Sequence, residues 1–218
     1  MTLSTMILKM SEGLGNTCAI FFLTLLFSLP LGMLFALLRM SKNKVVSSVM
    51  RFIISVLRGT PLMLQLLAVT YGPHYLFSDM GVGVARNKLI PVVIAFAINY
   101  AAYFAEIYRG GIDSMPVGQY EAAGVLGYTK IQTFIRIILP QVVKRIMPSI
   151  TNEVVTLVKD TSIAFCVSYM ELFTIGKQIS NSESSFTPFL IAGIFYFLFN
   201  AIVDLVMGRI EKRMDYYQ

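Results

Sequence analysis

"TCAIFFLTLLFSLPLGMLFALL", residues 17–38, contains no Asp, Glu, Lys, Arg or His. A stretch of about 20 predominantly apolar residues is long enough to cross the hydrocarbon core of a bilayer as an α-helix. Inside that core, a helix satisfies all of its backbone hydrogen bonds within one segment. The stretch therefore predicts an all-α membrane protein.

The composition of the whole chain has the same character. Its 218 residues are 56% hydrophobic and 14% charged, whereas a soluble domain is about 45–50% apolar and about 25% charged. This length allows one domain and leaves no room for a soluble enzyme beside the spans. The net charge of +6 fits a membrane protein with basic cytoplasmic loops, so we do not predict nucleic-acid binding.

Four more apolar segments complete the predicted topology. We predict five transmembrane helices, at residues 17–38, 61–77, 89–108, 146–169 and 189–207. Residues 45–57 are too short to span and contain Arg51, so they predict an amphipathic interfacial helix. The Thr60 hydroxyl is expected to cap the next helix, with Pro61 at its first position. Residues 170–187 are expected to form an outer loop.

Basic residues orient these spans. If the C-terminus is cytoplasmic, that side holds Arg39, Lys42, Lys44, Arg51, Arg58, Arg109, Lys130, Arg136, Lys144, Arg145, Arg209, Lys212 and Arg213, and the other side holds Lys9, Arg86, Lys88 and Lys177. The positive-inside rule then places the N-terminus outside and the C-terminus in the cytoplasm. The first residues lack the pattern of a cleaved signal peptide.

The longest predicted cytoplasmic insertion covers residues 109–145 and includes "EAAGVLGYTKIQTFIRIILP" at 121–140. Apolar residues recur there at helical spacing, which predicts two short helices broken at Gly127 and ended by Pro140. Residues 122–124 are small and offer a face that another protein can approach closely. The alternative is that these amphipathic helices rest on the membrane.

Seven residues of this insertion fit the pattern E-A-A-x₃-G-x₉-I-x-L-P: Glu121, Ala122, Ala123, Gly127, Ile137, Leu139 and Pro140. The pattern resembles the coupling-loop signature of the membrane subunits of binding-protein-dependent ABC importers. Four more stretches resemble the polar amino-acid branch of that family: "RGTPLMLQL" (58–66), "AAYFAEIYRGGI" (101–112), "GQYEAA" (118–123) and "LVKDTSIAF" (157–165).

The resemblance implies a type I ABC importer permease fold in a bacterial cytoplasmic membrane. The loop would sit in a groove of a separate ATPase subunit, with two ATPases per complex binding ATP and Mg²⁺. A second permease subunit, identical or paralogous, would complete the pathway, and an extracytoplasmic amino-acid-binding protein would deliver the substrate. The sequence itself has no G-x₄-G-K-[ST] phosphate loop, and neither a catalytic constellation nor a metal site is predicted, so the chain is expected to be a transport subunit and not an enzyme.

The fourth predicted span contains "NEVVTLVKDTSIAF", residues 152–165, although ionisable groups at bilayer depth are costly. Glu153 and Asp160 are seven residues apart, so they share one helix face about 10 Å apart along the axis. We predict that they bind the ammonium and a second cationic group of an amino acid. Further candidates for the binding site are polar residues of the spans: Gln65, Thr70, Asn99, Tyr103, Thr156 and Thr161.

Alternative roles for the two acids stay open at this point. Glu153 could pair with a basic residue at the cytoplasmic boundary, and Asp160 could pair with Lys159. A break at "KDTS" (159–162) could also place Asp160 or Thr161 as the cap of a following half-helix. Alternative functions are an ABC permease for another small solute, or a secondary transporter or channel that uses the acids as ion sites.

Overall fold

The computed structural model describes residues 1–77 and 83–214. Residues 78–82 and 215–218 of the predicted single domain lie outside the described residues. The helices are α1 (Leu3–Arg39), α2 (Lys44–Gly59), α3 (Leu62–Leu76), α4 (Leu89–Asp113), α5 (Val117–Val125), α6 (Lys130–Thr133), a π-helical turn (Phe134–Ile138), α7 (Leu139–Asp160), a 3₁₀ segment (Thr161–Val167), α8 (Leu172–Glu183) and α9 (Thr187–Arg213).

Within the described ranges, α1, α4 and α9 are long and apolar enough to cross a membrane, which agrees with the predicted multi-pass architecture. The axes of α2 and α3 differ by 105°, and the pair would add a fourth span if it crosses as one broken segment. α7 covers most of the predicted span at 146–169 but is too polar to meet the same criteria. The count of five spans therefore stays a prediction.

α4 is the central helix, and it packs against α1, α3 and α7. Its apolar side chains fill the main core, with Phe96 and Phe104 fully buried. α1 approaches α4 closely at Gly32, where a β-carbon would lie 2.8 Å from Cβ of Phe104. α4 thus lies between α1 and α7, and its C-terminal half faces α7.

The predicted interfacial helix at 45–57 corresponds to α2, but the predicted cap of the next helix is wrong. The Thr60 hydroxyl donates backwards to the carbonyl of Val56 at 2.8 Å, and Pro61 occupies the N-cap of α3 without a side-chain cap. The cause is extended backbone at both residues, which turns the chain sharply and leaves the hydroxyl beside α2. The 105° bend between the two helices follows from this linker.

Residues 170–187 are not the outer loop that the sequence predicted, because Leu172–Glu183 forms α8. Glu171 is the N-cap, and its carboxylate accepts hydrogen bonds from the amides of Phe173 and Thr174, the Thr174 hydroxyl and the Tyr196 hydroxyl, at 2.6–2.8 Å. Glu171 is fully buried. Burial raises the pKa of this carboxyl, while its hydrogen bonds oppose that rise. The cap thereby ties α8 to α9.

Pro140 does not end the helical segment of the insertion as predicted. The π-helical turn passes directly into α7, with Pro140 in the first turn of that helix. The Leu139 amide donates to the carbonyl of Phe134 across the widened turn. Proline has no N–H to continue the helical ladder, and the widened turn directly before it lets the helical course pass the proline ring. The insertion and the helix that carries the two acids therefore form one helical course.

Candidate functional site

A cavity of about 510 Å³ lies where the linker between α2 and α3 faces α4 and α7. Small-molecule sites have volumes of about 300–1,000 Å³. The cavity is lined by Arg58, Gly59, Thr60, Pro61, Leu62, Asn99, Tyr100, Tyr103, Glu153, Thr156 and Asp160. Two carboxylates, a guanidinium and two phenols thus converge on one space.

Glu153 and Asp160 both line this cavity, as their seven-residue spacing predicts. Asp160 accepts a hydrogen bond of 2.7 Å from the Tyr100 hydroxyl. In the part of the chain that the structure describes, neither acid forms an ion pair, so pairing of Asp160 with Lys159 is wrong. Glu153 shares the cavity with a basic residue, Arg58, without direct contact as an ion pair.

The predicted break at residues 159–162 is confirmed, because α7 ends at Asp160 and a 3₁₀ segment follows. The predicted capping is wrong for both residues. Asp160 makes no side-chain cap, and the Thr161 hydroxyl donates back to the carbonyl of Val158 at 2.7 Å. The hydrogen bond from Tyr100 instead holds Asp160 toward α4, where its carboxylate lines the cavity.

The other polar candidates divide into two groups. Asn99, Tyr103 and Thr156 line the cavity with the two acids. Three predicted candidates do not line it: Gln65, Thr70 and Thr161. Thr70 and Thr161 are buried within the helix packing, at 3% and 0% exposure.

Gln65 does not line the cavity, but it bonds to the end of α2 and to the linker that does. Its amide nitrogen donates to the carbonyl of Leu57 at 2.8 Å and to the Thr60 hydroxyl at 2.8 Å. Asn99 donates to the same Leu57 carbonyl and to the Gln65 side-chain oxygen, both at 3.1 Å. Carbonyls at a helix C-terminus have no partner within the helix, so this amide pair satisfies the end of α2 and fixes the linker against α4.

Sequence reasoning missed Arg58 and Tyr100. In the sequence, Arg58 is one of the basic residues that mark the cytoplasmic side, and its approach to the acids depends on the bend between α2 and α3. Its guanidinium carbon lies 5.1 Å from the centroid of the Tyr103 ring. Tyr100 could have been found, because it lies three residues before Tyr103 on a helix and therefore on the same side.

The coupling-loop residues lie on a different part of the molecule, around the turn between α5 and α6. The Tyr128 amide donates to the carbonyl of Ala123 and the Gly127 amide to that of Gly124, both at 3.0 Å. These bonds form a Schellman motif with Gly127 in the left-handed region at φ 79°. Thr129 and Gln132 then form a capping box that begins α6. The predicted break at Gly127 is confirmed.

The small-residue face predicted for residues 122–124 is only partly exposed. Ala123 is buried, at 1% exposure, because it faces the protein, whereas Glu121, Ala122 and Gly124 are exposed. Large apolar side chains provide most of the outer surface here: Val117, Val125, Leu126, Ile131 and Ile135. Ile137 and Leu139 are half-buried, and Pro140 is exposed.

Two contacts hold the loop to the helix that carries the acids. The side-chain amides of Gln119 and Gln141 exchange two hydrogen bonds, of 2.9 and 2.6 Å, between α5 and α7. Arg145 donates to the carbonyl of Ser114 at 3.0 Å, at the end of α4. Both contacts join residues more than 20 positions apart. No local sequence pattern predicts them.

Comparison with known proteins identifies the family. Residues 28–216 match the model of the binding-protein-dependent transport system inner membrane component. The chain belongs to this family. It is therefore a transport component and not an enzyme, as predicted.

Relatives and solved structures agree with this assignment. The chain is 33% identical over 204 residues to a putative glutamine transport system permease protein of Rickettsia conorii, covering 93% of this chain and 91% of that protein. It is 34% identical to an L-cystine transport system permease protein of Bacillus subtilis, covering 95% and 87%. A chain in the crystal structure of an amino acid ABC transporter with histidines superposes with a TM-score of 0.84 at 31% identity, covering 94% of both chains. The predicted importer-permease fold is confirmed.

Proposed function

We propose that this chain is the permease subunit of an ATP-driven importer for polar amino acids, with a preference for cationic or amine-rich substrates. The observation that carries the proposal is the cavity in which Glu153 and Asp160 face the same space. An unpaired carboxylate at bilayer depth is costly. A ligand that brings one or more ammonium groups removes that cost when it binds.

The chemistry of the relatives supports an amino-acid substrate. The two similar permeases are named for glutamine and L-cystine, and the similar crystal structure is that of an amino acid transporter with histidines. Each of these molecules has an α-ammonium group, and cystine has two. The substrate of this chain then shares that group, and the second carboxylate selects for an additional positive charge.

Coupling to ATP hydrolysis is assigned to the loop between α4 and α7. The exposed apolar residues around the Gly127 turn form a surface suited to a groove in a separate ATPase subunit, with Glu121 and Ala122 at its edge. Two ATPases per complex bind ATP and Mg²⁺. Movement of the loop reaches the cavity through the Gln119–Gln141 contact and α7.

A second permease subunit, identical or paralogous, is supported by the exposed face of α7. Asn152, Thr156 and Lys159 are exposed on this helix, although lysine at the centre of a bilayer costs about 2.5–3.5 kcal/mol on insertion scales. A partner permease that encloses a water-filled pathway along this face removes the contact with lipid. Thr156 also lines the cavity, so the cavity opens toward the partner.

The same proposal fixes the topology. Five spans put the termini on opposite sides, and the distribution of basic residues supports an outer N-terminus and a cytoplasmic C-terminus in a bacterial cell, with the coupling loop on the ATPase side. α7 together with the 3₁₀ segment is the fourth span, and its polar residues face the pathway. An extracytoplasmic amino-acid-binding protein docks on the opposite side and delivers the substrate.

A binding screen on the complex with its ATPase tests the proposal. The purified complex is heated in the presence of each standard amino acid, cystine, and a set of sugars and inorganic ions. A ligand at 100 times its Kd adds about 2.7 kcal/mol of stability, so an amino acid should raise the unfolding midpoint and stimulate ATP hydrolysis. A rise produced by a sugar or an ion, with none from any amino acid, would contradict the substrate class.

A further inference from the structure

Arg58 lies at the C-terminal end of α2 and reaches the same cavity as the two acids. The C-terminus of a helix carries partial negative charge that favours a cation. The guanidinium also lies over the face of the Tyr103 ring, 5.1 Å from its centroid, within the distance of about 6 Å at which such contacts are attractive. The contact with the Tyr103 ring and the charge of the helix end therefore both favour the guanidinium beside the cavity.

The main chain around Arg58 is fixed as well. Asn99 and Gln65 both donate to the carbonyl of Leu57, directly before Arg58. The Tyr103 hydroxyl lies 3.5 Å from the carbonyl of Arg58 itself. The guanidinium is thus presented by a constrained helix end and not by a free loop.

The guanidinium has five N–H donors in a planar fork that matches a carboxylate. Among residues 1–77 and 83–214, no hydrogen bond or ion pair engages these donors. They remain available to a ligand in the cavity. The two acids that line the same cavity belong to α7. Glu106 on α4 also interacts with Arg58, but it is paired with Arg109 and does not line the cavity.

From this arrangement we infer that Arg58 binds the α-carboxylate of the substrate, while Glu153 and Asp160 bind its ammonium groups. The inference rests on the proposed function and adds the orientation and charge of the ligand. With both acids ionised, the three side chains carry a net charge of −1. An amino acid with a carboxylate, an α-ammonium and a cationic side chain carries +1 and neutralises the site, which a neutral zwitterion does not.

Two ligands that differ at one group test this assignment. L-Arginine and L-argininamide share the α-amino group and the side chain, and the amide lacks the carboxylate charge. If another amino acid binds, it is compared with its own amide in the same way. Binding to the complex with its ATPase, without binding protein, is measured for wild type and Arg58→Gln. Arg51→Gln, on the same helix and outside the cavity, is the matched control.

Loss of a charged hydrogen bond weakens binding by about ten- to hundredfold. We expect Arg58→Gln to weaken binding of the amino acid by this factor, to change binding of the amide little, and so to abolish the preference for the carboxylate. Arg51→Gln should keep the preference, and Arg58→Lys should keep part of it. Unliganded unfolding midpoints show whether Arg58→Gln remains folded.

Other results overturn the assignment. If Arg58→Gln weakens both ligands equally, or if Arg58→Lys binds neither although it is folded, Arg58 shapes the linker and does not contact the carboxylate. If the double variant Arg58→Gln with Glu153→Gln recovers wild-type preference, Arg58 only balances the charge of Glu153. If wild type binds no amino acid, the proposed function itself is wrong, and the wild-type measurement alone shows this.

Discussion

The Tyr100 hydroxyl donates a hydrogen bond of 2.7 Å to Oδ2 of Asp160, which joins the centre of α4 to the last residue of α7. This contact fixes one acid of the cavity at the point where α7 gives way to the 3₁₀ segment. Asp160 is held by a neutral donor and not by a cation. Its negative charge therefore remains available to a ligand.

Tyr100→Phe is expected to weaken binding of a cationic amino acid by up to about tenfold, because the ring remains but the hydroxyl that holds the Asp160 carboxylate at the cavity is lost. Tyr108→Phe, on the same helix and outside the cavity, is the matched control, since its hydroxyl makes a 3.4 Å contact with the main-chain carbonyl of Leu29. Calorimetric binding to the purified complex measures both. Equal effects of the two variants would show that Asp160 needs no positioning by Tyr100.

Glu153→Gln is expected to reduce discrimination for cationic over neutral amino acids by about one to two decades, because the amide keeps the shape and removes the charge. Competition binding with lysine and glutamine measures the ratio. Assembly with the ATPase should be unchanged. Poor assembly together with unaltered selectivity would assign Glu153 a structural role.

Gly127→Val is expected to reduce substrate-stimulated ATP hydrolysis and uptake, because the backbone at φ 79° crowds a β-carbon and costs about 1 kcal/mol or more. Gly118→Val, at an open helical position in α5, is the control and should be tolerated. Transport and hydrolysis are measured in proteoliposomes. Wild-type rates of transport and ATP hydrolysis in Gly127→Val would show that this turn is not part of the ATPase contact.

A single cysteine at Ser41 should be protected from membrane-impermeant thiol reagents in intact cells, whereas one at the exposed Ser184 should be labelled. The background for both variants lacks the native cysteines, Cys18 and Cys166. Labelling after permeabilisation serves as the reference for accessibility. The opposite pattern would reverse the orientation that the basic residues predict.

Glu171→Ala is expected to lower the stability of the complex by about 2 kcal/mol or more, since it removes an N-cap and leaves buried donors of α8 and α9 without an acceptor. Glu183→Ala, on the same helix, removes a surface ion pair with the N-terminal amine worth about 0–1 kcal/mol. Denaturation midpoints in detergent compare the two. Similar midpoints would mean that the cap contributes little.

The sequence alone predicted the placement of site residues correctly where that placement depends on spacing along one helix or loop. Glu153 and Asp160 share the cavity because seven residues make nearly two full turns, and Gly127 adopts the conformation that its place after a short helix predicts. Arg58, Gln119 and Gln141 were missed because their partners come from other helices, and the bend between α2 and α3 decides where Arg58 lies. Glu171 was missed since a cap is visible only once α8 is known to begin there.

The continuity of α7 has a mechanical consequence. From Leu139, in the coupling signature, to Asp160, at the cavity, the chain runs as one helix of 22 residues, about 33 Å long at 1.5 Å per residue. A tilt of about 10° around one end of such a lever displaces the other end by about 6 Å. In the proposed coupling, a displacement that the Gln119–Gln141 contact passes to the start of α7 would move the cavity end of the same helix directly.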